Sequence, residues 1–430
     1  MNFPSITKKE FERNLSSNFS FENQPYIGIC VSGGSDSMAL LLLMKEWIKK
    51  LNGKILAIHF DHNLRVESNF ESKVLEKKVK KLGVDFTKIT WNHNKIDSRI
   101  LEIARNERYK KIISLCKKLK IINLMTAHNL DDNLETFIMR KKRDSISLGL
   151  SSIPKIRVVD DLRIIRPLLI YEKARLEATC KKSKIQWLID RSNFDERFER
   201  VRVRNFLKSK SVKCIDSINS ELNKRKDVNL AKEKKILKFF CKELRFYDYG
   251  VFKICREKFN KLSITLKIEI LKKILTTAGG RDFSPKRKSI LLFLSLEKRN
   301  ESFNFTLHTC LLRVSNNNIE ILKEIVDKHK VEKFFLKKGK KTIWQNRFII
   351  ESKIYDLEMN NISQKNWPSL KKKIVPKNSK LDFLVIQSLP LIILNGDRII
   401  PFLSENKNLE QLGVKFYFSP KIPLHKKNFF

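Results

Sequence analysis

The chain has 430 residues, 42% of them hydrophobic, which supplies two or three hydrophobic cores and excludes a disordered composition. Its 89 Lys and Arg against 47 Asp and Glu leave a formal charge of +42, part of it compositional bias, in a field that draws in polyanions and makes nucleic acid the first partner to consider. With no apolar run of about 18 residues, no apolar core in "MNFPSITKKEFERN" and seven scattered cysteines lacking a C-x-x-C, the expectation is a soluble cytoplasmic protein with free thiols and no membrane.

From residue 26 onward short apolar runs alternate with longer helical patterns. "YIGICV" precedes "SMALLLLMKEWIKKL", "KILAIHF" precedes residues 67–82, "VDFTKIT" precedes 98–119, and "IINLMTAH" precedes 131–140. Strand and helix in strict turn predict βαβ units and an α/β fold with a doubly wound parallel sheet. Ligands bind such sheets at the carboxyl ends of the strands. Three segments rich in polar chemistry, "SGGSDS", "HFDHNLR" and "TAHNLDDNLET", lie at or directly after strand ends. Beyond about Val201 the pattern turns to long Lys-rich helical stretches, and from Ser302 to short alternating runs with Asn-rich turns. The expected division is 1–210 for the nucleotide-binding part, 211–300 for a helical domain and 301–430 for a β-rich domain. The charge on the last two makes them the expected grip on nucleic acid.

The loop at residues 32–37, Ser-Gly-Gly-Ser-Asp-Ser, fits neither common nucleotide motif. It lacks the lysine and the spacing of G-x-x-x-x-G-K-[ST], and the glycines near it do not make G-x-G-x-x-G. Two glycines free to take unusual backbone angles, ahead of a helix starting near Asp36 or Ser37, would aim several N–H groups at an anion. The Asp36 carboxylate suits such a place if magnesium bridges it to phosphate. In the fourth segment Asp132 and Glu135 are three apart and share a helix face, with His128 near the helix entrance. Acids at a helix start also suit the macrodipole on their own. His59, Asp61 and His62 lack a further ligand and cysteine support, which disfavours zinc.

The S-G-G-x-D-S loop resembles the PP-loop of the N-type ATP pyrophosphatases, which split ATP into AMP and pyrophosphate. Together with H-x-D-H-x-L-R at residues 59–65, A-R-x-x-R-Y at 104–109 and T-A-H-x-x-D-D-x-x-E-T at 126–136, it resembles the tRNA(Ile)-lysidine synthase family. "RPLL" and "WLIDRSNFDERFERVRVR" are similar to the end of that family's catalytic domain, with D-R-S-N in place of D-P-[ST]-N and Arg200-x-Arg202-x-Arg204 in place of R-N-x-x-R. Asp144 and Ile146 stand where the family carries two glycines, in a loop where Arg143, Ser145, Gly149 and Leu150 remain.

The resemblance implies an adenine nucleotide alpha hydrolase-like fold and a ligase that uses ATP and Mg2+. Its substrates would be free L-lysine and an isoleucine tRNA with a CAU anticodon. The cytosine carbonyl oxygen would attack the α-phosphate of ATP, and the lysine ε-amine would then displace AMP to give lysidine. Ser32, Gly33, Gly34, Ser35, Asp36 and Ser37 would hold the departing pyrophosphate, with Asp36 on the metal and His62 and Arg65 beside the nucleotide. Arg108, Asp132 and Glu135 would bind lysine, with Asp36, His128 and Asp132 in the chemistry. Arg140, Lys141, Lys142, Arg143, Arg200 and Arg204 would meet tRNA, and the family suggests a homodimer. Two alternatives stay open: another PP-loop tRNA enzyme such as a thiolase, for which paired cysteines are lacking, and a non-catalytic tRNA-binding protein on a decayed scaffold.

Overall fold

A computed structural model describes residues 3–63, 67–93, 100–142, 153–159, 161–188, 195–299, 301–325, 333–364, 366–374, 381–394, 396–403, 409–424 and 428–429. The chain divides into two compact units, Met1–Leu230 with Lys427–Phe430, and Ala231–Lys426. Among the described residues no helix is long and apolar enough to cross a membrane.

The first unit opens with α1 (Lys8–Asn18) and then runs β1 (Tyr26–Cys30), α2 (Ser35–Ile48), β2 (Lys54–Asp61), α3 (Ser68–Lys81), β3 (Asp85–Thr90), α4 (Ile100–Lys118), β4 (Asn123–Met125) and α5 (Leu130–Lys142). After these come β5 (Ile156–Val159), β6 (Leu162–Ile165), α6 (Lys173–Lys182), α7 (Glu199–Lys208) and α8 (Val212–Glu243), within which the division between the units falls. Five strands are parallel, in the order β6-β4-β1-β2-β3, and β5 folds back antiparallel on β6. The short terminal strand Asn428–Phe429 pairs antiparallel with β5.

Strand alternation explains why helices cover both faces. Ile55 and Ala57 point into a core shared with α1, α2, α3 and α6, while Leu56, Ile58 and Phe60 point into a second core with α4. The doubly wound parallel sheet is therefore the fold of this unit. From β1 the chain winds outward through β2 to β3, then crosses back to β4 on the other side of β1. The strand order reverses between β1 and β4, and the crevice at their carboxyl ends is where such sheets take ligands.

The second unit is antiparallel and β-rich. It comprises β7 (Leu244–Tyr247), β8 (Val251–Cys255), α9 (Arg256–Asn260), α10 (Ile264–Gly279), α11 (Arg287–Glu297), β9 (Phe303–Leu307), β10 (Cys310–Val314), β11 (Asn318–Lys323), β12 (Lys333–Leu336), β13 (Lys340–Trp344), β14 (Phe348–Ser352), β15 (Leu357–Asn361), α12 (Trp367–Ile374), α13 (Phe383–Gln387), β16 (Pro390–Leu394), β17 (Asp397–Ile399) and β18 (Val414–Phe418). Its strands form sheets of five, four and three. The segment 211–300, expected to be helical, also holds the β7–β8 hairpin, whose second strand pairs with β11. Gly250 closes that hairpin at φ +83°, donating its N–H to the Tyr247 carbonyl at 2.7 Å. Segments 211–300 and 301–430 thus share one five-stranded sheet.

Candidate active site at the carboxyl edge of the sheet

The loop after β1 takes the conformation its glycines permit. Gly33 sits at φ +88°, where an L side chain is strained, and a Cβ there would come within 2.8 Å of Leu188 Cδ1. The Leu188 N–H binds the Gly33 carbonyl at 2.8 Å. Ser37 Oγ donates to the Gly34 carbonyl at 3.0 Å and accepts the Ser32 N–H at 3.3 Å, so the hydroxyls brace the loop from within. Helix α2 starts at Ser35, slightly earlier than expected, with Gly34 at the cap and no side chain taking up the first-turn N–H groups. Uncapped N–H groups at a helix start are suited to a phosphate.

Asp36, in that first turn, has its carboxyl pushed up to about 6. Burial is the main cause, and the Asp132 charge adds to it, while Lys173 and hydrogen bonds from Ser35 and Asn129 oppose it. The carboxylates of the loop and of α5 therefore lie close enough to repel, a place suited to a cation.

Across the crevice, Asn129 caps α5. Its Oδ1 accepts the Asp132 N–H at 2.9 Å, and the Asp132 Oδ2 accepts the Asn129 N–H at 3.1 Å, a reciprocal cap that fixes Asp132. Thr126 Oγ1 lies 3.0 Å from His128 Nδ1. Burial, reinforced by Arg166, Arg200, Arg105 and Arg108, holds His128 down at about 3. It is a neutral imidazole and a weak proton acceptor. Asp131 accepts the Lys173 backbone N–H at 2.8 Å, and the Leu130 N–H binds the Tyr171 carbonyl at 2.9 Å, which ties the start of α6 to the start of α5.

Glu135 is 1% exposed and already engaged. Arg200 Nε donates to its Oε2 at 2.6 Å and Arg204 Nε to its Oε1 at 2.7 Å, while Arg200 Nη2 reaches Asp132 Oδ1 at 2.6 Å. Residues expected to face lysine and residues expected to face tRNA thus meet each other, and helix α7 is clamped on α5. Asp132 keeps the more accessible carboxylate of the two, its side chain 19% exposed against 2% for Glu135. At the far end of α5, Lys141 pairs with Glu221 at 2.7 Å, Lys142 lies over the Phe206 ring, and burial lowers the Arg140 guanidinium.

His62 follows β2, edge-on to Phe60 and Trp91, and burial with the Arg108 charge lowers it to about 4. Its Nδ1 is buried with no hydrogen-bond partner among the described residues. His59 is part of the scaffold, between the Val31 carbonyl at 2.9 Å and Ser72 Oγ at 3.0 Å. Among the described residues no three His, Cys, Asp or Glu side chains are arranged to hold a metal ion. Asp36, with the Asp132 charge near it, offers the hard oxygen donors that would suit magnesium shared with substrate phosphates. Arg65, Arg143, the positions of Asp144 and Ile146, and the D-R-S-N stretch lie outside the described residues.

Motif reading passed over Asn129, Arg105, Arg166 and Lys173. The first two lie inside motifs of the first domain, and Arg166 opens "RPLL". Lys173 had no signal beyond following that motif by four residues.

This is the architecture of a PP-loop nucleotide-binding domain, and residues 7–211 match the family model described as the PP-loop domain. The chain is 30% identical over 419 residues to a tRNA(Ile)-lysidine synthase of Rickettsia bellii, covering 95% of this chain and 96% of that one. A tRNA(Ile)-lysidine synthase of Rickettsia typhi is 30% identical over 371 residues, 85% of each chain. Among solved structures, a U34-tRNA thiolase from Methanococcus maripaludis with its 4Fe–4S cluster covers 51% of this chain and 78% of its own, at 16% identity and a TM-score of 0.45. The chain belongs to the tRNA(Ile)-lysidine synthase family, and it is an ATP-binding enzyme of the ligase class.

Proposed function

We propose that the protein joins free L-lysine to the wobble cytidine of an isoleucine tRNA at the expense of ATP. The observation that carries this reading is the meeting of Asp36 and Asp132 at the strand-order reversal, one beside an uncapped helix start and the other on a capped helix face. In the first step the cytosine carbonyl oxygen attacks the α-phosphate, and the pyrophosphate leaves against Ser32, Gly33, Gly34, Ser35 and Ser37. Asp36 would hold magnesium, which when bound supplies positive charge to the phosphates. His62 would lie beside the nucleotide, and Arg108, whose charge reaches both His62 and His128, would join the lysine site.

In the second step Asp132 receives the lysine ammonium, and Glu135 stands behind it, holding Arg200 and Arg204. A lysine amine in water has a pKa of about 10.4 and must lose a proton before it attacks. His128, held near 3, is a poor recipient for that proton and would serve as a neutral hydrogen-bonding group. Arg140, Lys141, Lys142 and Arg143 approach the RNA backbone.

The test is pyrophosphate release from ATP in the absence of lysine. Wild type should release it only when the tRNA is added, and Asp36→Ala should lose the release while still binding tRNA. Release by Asp36→Ala at the wild-type rate, or release indifferent to tRNA, would overturn the reading.

A further inference from the structure

We infer that Lys173, at the first position of α6, is the cation that contacts the departing pyrophosphate. The inference deepens the proposed reaction and rests on it for the identity of the leaving group. The loop holds no lysine of its own. The next one, Lys45, lies in the last turn of α2, ten residues beyond Ser35 and so about 15 Å along the helix. A leaving pyrophosphate carries several negative charges and departs beside Asp36 and Asp132, so backbone N–H groups alone leave it short of positive charge.

Three contacts fix where Lys173 begins. Its backbone N–H is held by Asp131 at 2.8 Å, and the Tyr171 carbonyl by Leu130. Farther along α6, Cys180 Sγ reaches the Ser35 carbonyl at 3.4 Å, and Leu176 and Cys180 share a core with Met38, Ala39 and Leu41 of α2. The first residue of α6 is thereby set by the start of α5 while the helix packs on α2. The half-buried side chain makes no ion pair among the described residues, and its charge acts on Asp36 more strongly than any other. Arg200 and Arg204 are committed to Asp132 and Glu135. Arg105, Arg108 and Arg166 act on His128, and Lys173 is the cation whose charge falls most strongly on Asp36 at the loop.

In the step it serves, a bond forms between the attacking oxygen and the α-phosphorus, and the bond from that phosphorus to the bridging oxygen breaks. The electron pair stays with the β-phosphate. No proton moves, and Lys173 remains an ammonium against the β-phosphate oxygens.

The experiment uses the full chain with Lys173→Ala and Lys173→Arg. Neither removes the backbone N–H that Asp131 holds, so thermal unfolding should match wild type. In single-turnover adenylation Lys173→Ala should be slower by about 10- to 150-fold, the range of a charge-assisted hydrogen bond, and Lys173→Arg should recover most of the rate. Lysine transfer onto tRNA already adenylated should proceed at the wild-type rate. Direct titration with inorganic pyrophosphate and Mg2+ should show weaker binding by Lys173→Ala. Adenylation and pyrophosphate binding both unchanged, or adenylation slowed with pyrophosphate binding intact, would overturn the inference. If wild type releases no pyrophosphate with tRNA, the proposed function fails, and the pyrophosphate titration still decides Lys173 on its own.

Discussion

Glu135 has both carboxylate oxygens taken by guanidinium groups, Arg200 at 2.6 Å and Arg204 at 2.7 Å, and its side chain is 2% exposed. Removing one partner of a buried pair costs more than the pair contributes, because the remaining charges stay desolvated. Arg200 is 41% exposed, so solvent screens part of that cost. Glu135→Gln should therefore lose about 2 kcal/mol of stability in chemical unfolding, and its coupling with Arg204→Gln in a double-mutant cycle should exceed about 0.5 kcal/mol. Asp132→Asn is the contrasting change. With lysine's ammonium on Asp132, its KM for lysine should rise roughly 10- to 150-fold while lysine-free pyrophosphate release continues. If Glu135→Gln raises the lysine KM as much and leaves stability untouched, the amine sits on Glu135 and the roles of the two carboxylates are reversed.

At the scale of elements, strand ends carry three histidines that folding keeps neutral: His59 and His62 around the end of β2, and His128 after β4. Burial is the largest cause at each, taking His62 to about 4 and His128 to about 3 and lowering His59. A depressed histidine is neutral when folded and protonated when unfolded between its folded pKa and about 6.5, so the unfolded chain binds more protons there and stability falls with acid. Asp36 works the other way between 3.8 and about 6, where the folded chain holds the extra proton. His62 and His128 against Asp36 leave unfolding near pH 5 taking up about one proton, to which the lowering of His59 adds, and the change in unfolding free energy between pH 6.5 and 4.5 measures it. His128→Asn should reduce that uptake by about one, and an unchanged uptake would mean that His128 titrates normally. The strand ends were legible because short apolar runs stop where polar clusters begin. The β7–β8 hairpin was hidden by the helical pattern that runs into it and by a Tyr-Asp-Tyr-Gly turn lacking an Asn-Gly pair. The pairing of β5 with β6 passed unread because no Asn-Gly or Asp-Gly pair stands between the two runs. In the site, spacing along α5 revealed that Asp132 and Glu135 share a face. It could not reveal that Arg200 and Arg204 pair with them, since no local pattern records a contact between residues more than sixty positions apart.

For the molecule as a whole, the question is where its formal charge of +42 does its work. The nucleotide motifs all precede residue 211, but a cut near there would be misplaced, because Ile215, Ile218 and Leu222 of α8 pack on Leu130, Leu134, Phe137 and Ile138 of α5, the helix that carries Asp132. Ending the chain at Leu230 keeps that packing and gives up the short pairing of Asn428–Phe429 with β5. The piece 1–230 should bind ATP as the full chain does, since the loop, α5, α6 and α7 are all retained. Its tRNA affinity should drop, and the slope of log affinity against log salt should flatten by roughly 0.9 for each duplex phosphate that is no longer neutralised. The slope is the informative readout, because weaker binding alone could follow from a disturbed α5, whereas a smaller slope counts the ions no longer released. ATP binding by the same preparation controls for folding. If affinity falls while the slope stays that of the full chain, the lysines beyond residue 230 neutralise no phosphates, and the second unit holds tRNA through uncharged contacts.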